Sequence, residues 1–117
     1  MYNQDKMKKL IYEAYTTDPM NDEAFFDKLK EIMELLQSRE DLDKFAEYMN
    51  NMTQEEYDML GSFVDEIDEQ YVTRNFVEAL RKLIIKYPLD IPKDRREFQI
   101  ENVMLRAFEE ELENREK

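Results

Sequence analysis

The chain contains no cysteine and no histidine. Without cysteine there is neither a disulfide framework nor a thiolate metal site, a composition that suits a reducing compartment. Without histidine the commonest general base, the usual partner of a nucleophilic serine and the commonest neutral metal ligand are all missing. Any catalytic reading therefore has to rest on carboxylates, lysines and tyrosines. A single glycine, Gly61, rules out a glycine-rich phosphate loop. The acidic run Asp65–Gln70, DEIDEQ, lacks the alternating ligand register and the glycine of an EF-hand calcium loop. The longest uninterrupted aliphatic run is Leu83-Ile84-Ile85, far short of the roughly 20 residues of a membrane span. The first fifteen residues carry charge but no apolar h-region, so no secretory signal is read there and a cytoplasmic protein is expected.

What is present is enough for one folded domain, residues 1–117. At 117 residues and 42% apolar content, a chain buries about 65% of its unfolded surface, which makes a core without staples. The net charge of −12 is unevenly spread. Eleven acids stand against one base, Lys44, between Glu40 and Glu69; between Arg74 and Arg96 seven bases stand against three acids. This balance opposes free nucleic acid as a partner, since phosphate contacts need local cation, and it favours a basic protein.

The apolar spacing predicts an all-α protein, a compact bundle of five or six antiparallel helices in three hairpins. The first helix runs from about Asn3 to Tyr15 with Met7, Leu10, Ile11 and Ala14 inward. After the break at Pro19, a second spans about Glu23–Gln37 with Phe25, Phe26, Leu29, Ile32, Met33 and Leu36 on its apolar face. Ser38 and Asp41 resemble a capping box for a third helix, whose inner face is Leu42, Phe45, Ala46 and Met49. Asn50-Asn51 would end it in the left-handed conformation. Thr53 and Glu56 form a better capping box for the fourth helix, with Tyr57, Leu60, Phe63, Val64 and Ile67 inward. Gly61 lies inside this pattern, either as a tolerated helix glycine or as a break recapped by Ser62. The most apolar face belongs to the fifth helix, Thr73–Tyr87, capped by Thr73 and stopped by Pro88, and it is expected to form the axis of the core. Asp94 and Glu97 cap a sixth helix reaching about Asn114, apolar around more than half its circumference, with a fraying tail.

Two surfaces offer themselves for binding. With the fourth helix continuing through Glu69, its outer side carries Glu55, Asp58, Asp65, Glu66 and Glu69 in a stripe roughly 21 Å long. Such a row imitates a phosphate backbone and steers association with a basic groove; it is equally what a solvated helix face looks like. The alternative is an interface through the last helix at Met104 and Phe108, including a homodimer. Tyr12, Tyr48 and Ile85 fall off the apolar faces of their helices and are candidate anchors. The basic cluster Arg81, Lys82, Lys86, Lys93, Arg95 and Arg96 lacks the aromatic interleaving of single-strand binders and is read as neutralising the acids within the fold.

In form, Glu31-x-x-Glu34 followed by Glu55-x-x-Asp58 resembles the E-x-x-E…E-x-x-D pattern of the all-helical MazG-type nucleotide pyrophosphohydrolases, and that resemblance implies magnesium held between helices. The periodicity opposes it, because Glu31 and Glu34 fall opposite the apolar face of their helix while chelating carboxylates must point inward. In size, charge and class the chain looks like the small acidic helical immunity and inhibitor proteins of bacteria and phages. That resemblance implies a non-enzymatic protein, without cofactor or metal, that neutralises a basic toxin or nuclease by covering its cleft. A helical adaptor or assembly module is the alternative.

Overall fold

A computed structural model describes residues 1–18, 20–88 and 99–116. They form six α-helices: α1 (Gln4–Thr16), α2 (Asp22–Glu34), α3 (Arg39–Met49), α4 (Gln54–Leu60), α5 (Arg74–Lys86) and α6 (Ile100–Glu116). Between α4 and α5 lie two short 3-10 turns, Val64–Glu66 and Glu69–Tyr71. No strand occurs among the described residues.

Local chemistry sets the helix starts. Asn3, Asn21, Ser38, Thr53 and Thr73 each accept, through the side-chain oxygen, a backbone N–H of the first turn. The capping box at Thr53 and Glu56 is complete in both directions. At α3 only half of the expected box forms. Ser38 accepts from the Asp41 N–H, but the Asp41 carboxylate turns elsewhere. One oxygen accepts from the Tyr2 N–H at 2.8 Å and the other from the Gln37 N–H at 3.0 Å. Asp41 is thus a buried carboxylate that pins the start of the chain onto the α2–α3 corner. Asn50 does not adopt the left-handed conformation expected of it; its φ of −63° and ψ of −17° are right-handed, and α3 ends by tightening its last turn.

The core faces expected of α1 and α3 are buried, as are Phe76, Val77, Leu80 and Leu83 of the face expected of α5, whose Ile84 and Tyr87 are partly buried against the core. Phe45 on α3 touches Tyr2, Tyr48, Phe63 and Phe76 with ring centroids 6.1–6.3 Å apart, and Phe76 meets Phe108 of α6 edge-on at 5.6 Å. The arrangement differs from three hairpins. α1 packs on α2 and α5 on α6, but α3 packs chiefly on α5, and α4 on α1. α5 therefore shares the role of axis with α1.

The largest departure is in the fourth helix, which stops at Leu60. Tyr57, Leu60, Phe63, Val64 and Ile67 are all buried as their spacing implied, although the last three reach the core from a turn and a 3-10 segment. Gly61 has ordinary helical dihedrals, φ −58° and ψ −23°, and its need for glycine is one of space. A β-carbon there would collide with Oε1 of Glu101, a buried carboxylate in the first turn of α6. Burial pushes the neighbouring Tyr57 phenol well above its ordinary pKa, and the Glu101 charge adds to that. The residues that cap the last helix in the sequence reading, Asp94 and Glu97, lie outside the described residues. Its tail does not fray: Arg115 donates to the carbonyls of Val72 and Glu69 at 2.7 and 2.6 Å and to Glu111 at 3.2 Å.

Two outcomes follow for stability. Replacing Asp41 by Asn leaves one acceptor for two buried N–H groups and is expected to cost about 1–3 kcal/mol in chemical denaturation. Gly61→Ala gains helix propensity of about 1 kcal/mol but must displace the end of the Glu101 side chain from its buried place, and the two effects are expected to cancel to within about 1 kcal/mol. Adding Glu101→Ala removes the collision, so the double mutant should lose less than the sum of its parts.

Candidate protein-interaction surface

Glu55 and Asp58 lie on α4, Asp65 and Glu66 on the first 3-10 turn, and Glu69 opens the second; all five are exposed. Because α4 ends at Leu60, they do not make the continuous helical stripe expected of them. They divide instead into a helical pair and a group on the irregular segment that follows.

That segment is held by cations acting on its backbone. Arg39 on α3 donates from Nε to the Gln70 carbonyl at 3.0 Å, and Arg115 on α6 donates to the Glu69 and Val72 carbonyls. Asp68 accepts from the Gln70 N–H at 3.0 Å and from its side-chain amide at 2.8 Å, which holds the Asp68 carboxyl below its ordinary range. Two guanidinium groups thus hold the acidic segment through its main-chain oxygens, Arg115 pairing besides with Glu111 of its own helix and neither with a carboxylate of the segment. Among the described residues, no ion pair engages the carboxylates of Glu55, Asp58, Asp65, Glu66 or Glu69.

The basic cluster is partly internal. Arg81 bridges Glu78 at 2.9 Å and Glu109 at 2.7 Å, tying α5 to α6, and these two carboxylates hold its pKa above the ordinary value. Lys86 lies over the Tyr87 ring, 5.1 Å from its centroid. Lys82 is exposed, and Lys93, Arg95 and Arg96 fall outside the described residues.

The four carboxylates of the pyrophosphohydrolase-like pattern are not gathered. Glu31 lies 3.7 Å from Lys28, which also pairs with Glu13 of α1 at 2.5 Å. Glu34 is exposed. Among the described residues no group of three or more carboxylates is placed to hold a metal ion.

The interface candidates of the last helix belong mostly to the core. Phe108 is fully buried against Phe76, so it is not available to a partner as the sequence reading had it. Met104 is partly buried and packed against the core, while Ile100 and Val103 retain some exposure on the same helix. Of the three off-face anchors, Tyr12 and Ile85 are exposed, but Tyr48 is buried with its ring stacked on Phe45. The ring of Phe45, three residues before it on α3, and Tyr2 of the N-terminal segment show that α3 is covered over a wider arc than its apolar stripe marks out.

Sequence reasoning missed a second surface, at the end of the α1–α2 hairpin. Phe26, placed in the core by its spacing, is 58% exposed. α2 packs chiefly against α1, so only a narrow stripe of it is covered, and two adjacent phenylalanines 100° apart cannot both lie on that stripe. Phe25 and Phe26 meet edge-on at 5.9 Å, as Tyr12 and Tyr15 do at 5.3 Å. Beside them is an open cleft of about 320 Å³ with Ala14, Tyr15, Phe25 and Met59 in its walls and Asp18 and Asp22 at its edge. The Phe25-Phe26 doublet was the one sequence signal that could have disclosed it.

Burial separates the two kinds of candidate experimentally. Phe108→Ala is expected to cost about 3–5 kcal/mol, whereas Ile85→Ser on the exposed side of α5 should change stability by no more than about 0.5 kcal/mol; urea denaturation followed by circular dichroism measures both. Comparison of the chain with protein-family models, with curated proteins and with solved structures finds no match.

Proposed function

We propose that this protein is a non-catalytic binding domain that recognises a basic protein and, like acidic inhibitor and immunity proteins, neutralises it by occupying a cationic groove. The observation that carries this reading is the disposition of charge around the α4–α5 connection. Glu55, Asp58, Asp65, Glu66 and Glu69 are exposed, and no described cation pairs with them. The two guanidinium groups that hold the connection, on Arg39 and Arg115, reach its backbone carbonyls, and Arg115 pairs with Glu111 of α6. An intramolecular explanation of the acidic block would have those cations on the carboxylates. Left as they are, the carboxylates project a negative field that draws a positively charged partner and repels polyanions.

The separation between α4 and the 3-10 turns gives this surface two parts, which suits a concave partner better than a straight groove. An assembly role through the last helix has less support, since Phe108, the large side chain that would anchor it, is spent in the core.

Affinity capture from the native host, washed at low and then at high salt, is the experiment that opens the question. The expected result is a basic protein that elutes as salt rises. With that partner purified, Asp65→Lys combined with Glu69→Lys should slow association about tenfold at low ionic strength and flatten its salt dependence. Unchanged association kinetics in this variant would remove the acidic segment from recognition.

A further inference from the structure

The cleft between the end of α1, the first turns of α2 and the side of α4 has features that the charge argument does not use. Its walls are largely apolar, formed by Ala14, Tyr15, Phe25 and Met59 with Thr17 beside them. Its volume of about 320 Å³ is at the small end of the range for pockets that take organic ligands, and it suits one large side chain. Exposed aromatic rings stand next to it: Tyr12 against Tyr15, and Phe26 against Phe25. Aromatic side chains around a recess are what protein interfaces use as anchors, because they offer a large contact area at small entropic cost.

Two of the residues that line the cleft are acidic, one in the connection after α1 and one at the start of α2. Asp18 and Asp22 stand at the edge of the cleft itself. Asp18 is fixed there by accepting the Met20 N–H at 2.9 Å. On α4, Glu55 lies one turn before Met59 on the same face, and Asp58 immediately precedes Met59. Among the described residues no lysine or arginine lines the cleft. The nearby α2 cation, Lys28, is engaged by Glu13 of α1. Apolar walls inside a carboxylate rim call for an occupant of matching pattern, an apolar side chain with cations on either side.

We infer that this cleft receives a large apolar side chain, flanked in sequence by lysine or arginine, from the basic partner. The inference rests on the proposed recognition of a basic protein and adds to it the place where binding is anchored. A second copy of this chain fits the same cleft poorly. A two-fold contact would bring Asp18 and Asp22 against the same acids of a molecule whose net charge is also −12.

The test uses the full chain labelled with ¹³C at its methionine methyl groups and three synthetic pentapeptides at low salt: Lys-Lys-Trp-Lys-Lys, Lys-Lys-Gly-Lys-Lys and Glu-Glu-Trp-Glu-Glu. The tryptophan–lysine peptide should move the Met59 methyl signal by ring current and bind about tenfold more tightly than the glycine–lysine peptide. The glutamate peptide should not bind. Tyr15→Ser, a change at a half-exposed position that leaves the fold intact, should reduce the preference for tryptophan to twofold or less while leaving the affinity of the glycine–lysine peptide unchanged. Equal binding of both lysine peptides without movement of Met59 would overturn the cleft and leave the acidic recognition standing. Binding of neither would overturn both. Binding of the glutamate peptide would overturn the role given to the rim, and movement of Met59 on dilution of the protein alone would assign the cleft to a second copy instead.

Discussion

The ring of Phe45 is where the separate parts of this bundle are joined. It is fully buried, and it touches the N-terminal segment through Tyr2, the connection after α4 through Phe63, and α5 through Phe76, which in turn meets Phe108 of α6. Offset and edge-on ring contacts add roughly 0.5–1.5 kcal/mol each to the burial of the rings themselves, and they are directional. A chain of them therefore fixes orientation as well as proximity. The pairing of α3 with α5, rather than with its sequence neighbour α4, is the outcome.

The surface follows from how the segment between α4 and α5 accommodates that core. Phe63, Val64 and Ile67 must all face inward, and Glu101 must have room above Gly61. An uninterrupted helix meets the first demand but would carry the chain away from Arg39 and Arg115. The observed break and the two 3-10 turns meet it while delivering three carbonyls, of Glu69, Gln70 and Val72, to those two guanidinium groups. The carboxylates are left on the outside, where they act through their field rather than through internal pairing.

Which parts of this were legible in the sequence depended on the range of the interaction that set them. The N-caps at Thr53 and Thr73 are contacts across three residues, and the residues that make them are visible in the sequence. The core residues of the fourth segment were legible because burial follows apolar spacing whatever the backbone does; the end of the helix was not, because the contacts that hold the chain after it come from Arg39 and Arg115, thirty-one and forty-three to forty-six positions away. Asp41 was read as a local cap and is occupied by the backbone of Tyr2, a contact across thirty-nine positions. Phe26 was read as core because a hydrophobic pattern records what a helix offers and not how many neighbours it has. The acidic residues of the candidate surface were identifiable by composition, but their division between a helix and an irregular segment, and the cleft beside α4, are tertiary facts.

The hold of Arg115 on Val72 and Glu69 has a temporal side. A chain is made from its N-terminus, and the bundle's early helices begin to associate while later residues are still being added. The carbonyls of Glu69 and Val72 wait for a guanidinium forty-three to forty-six residues further on. The acidic turns thus take their final shape only after nearly the whole described chain has been synthesised. Until then Arg39 alone holds the segment, through the Gln70 carbonyl, and a protein whose synthesis stops before Arg115 presents Asp65, Glu66 and Glu69 on a segment with one of its two guanidinium anchors.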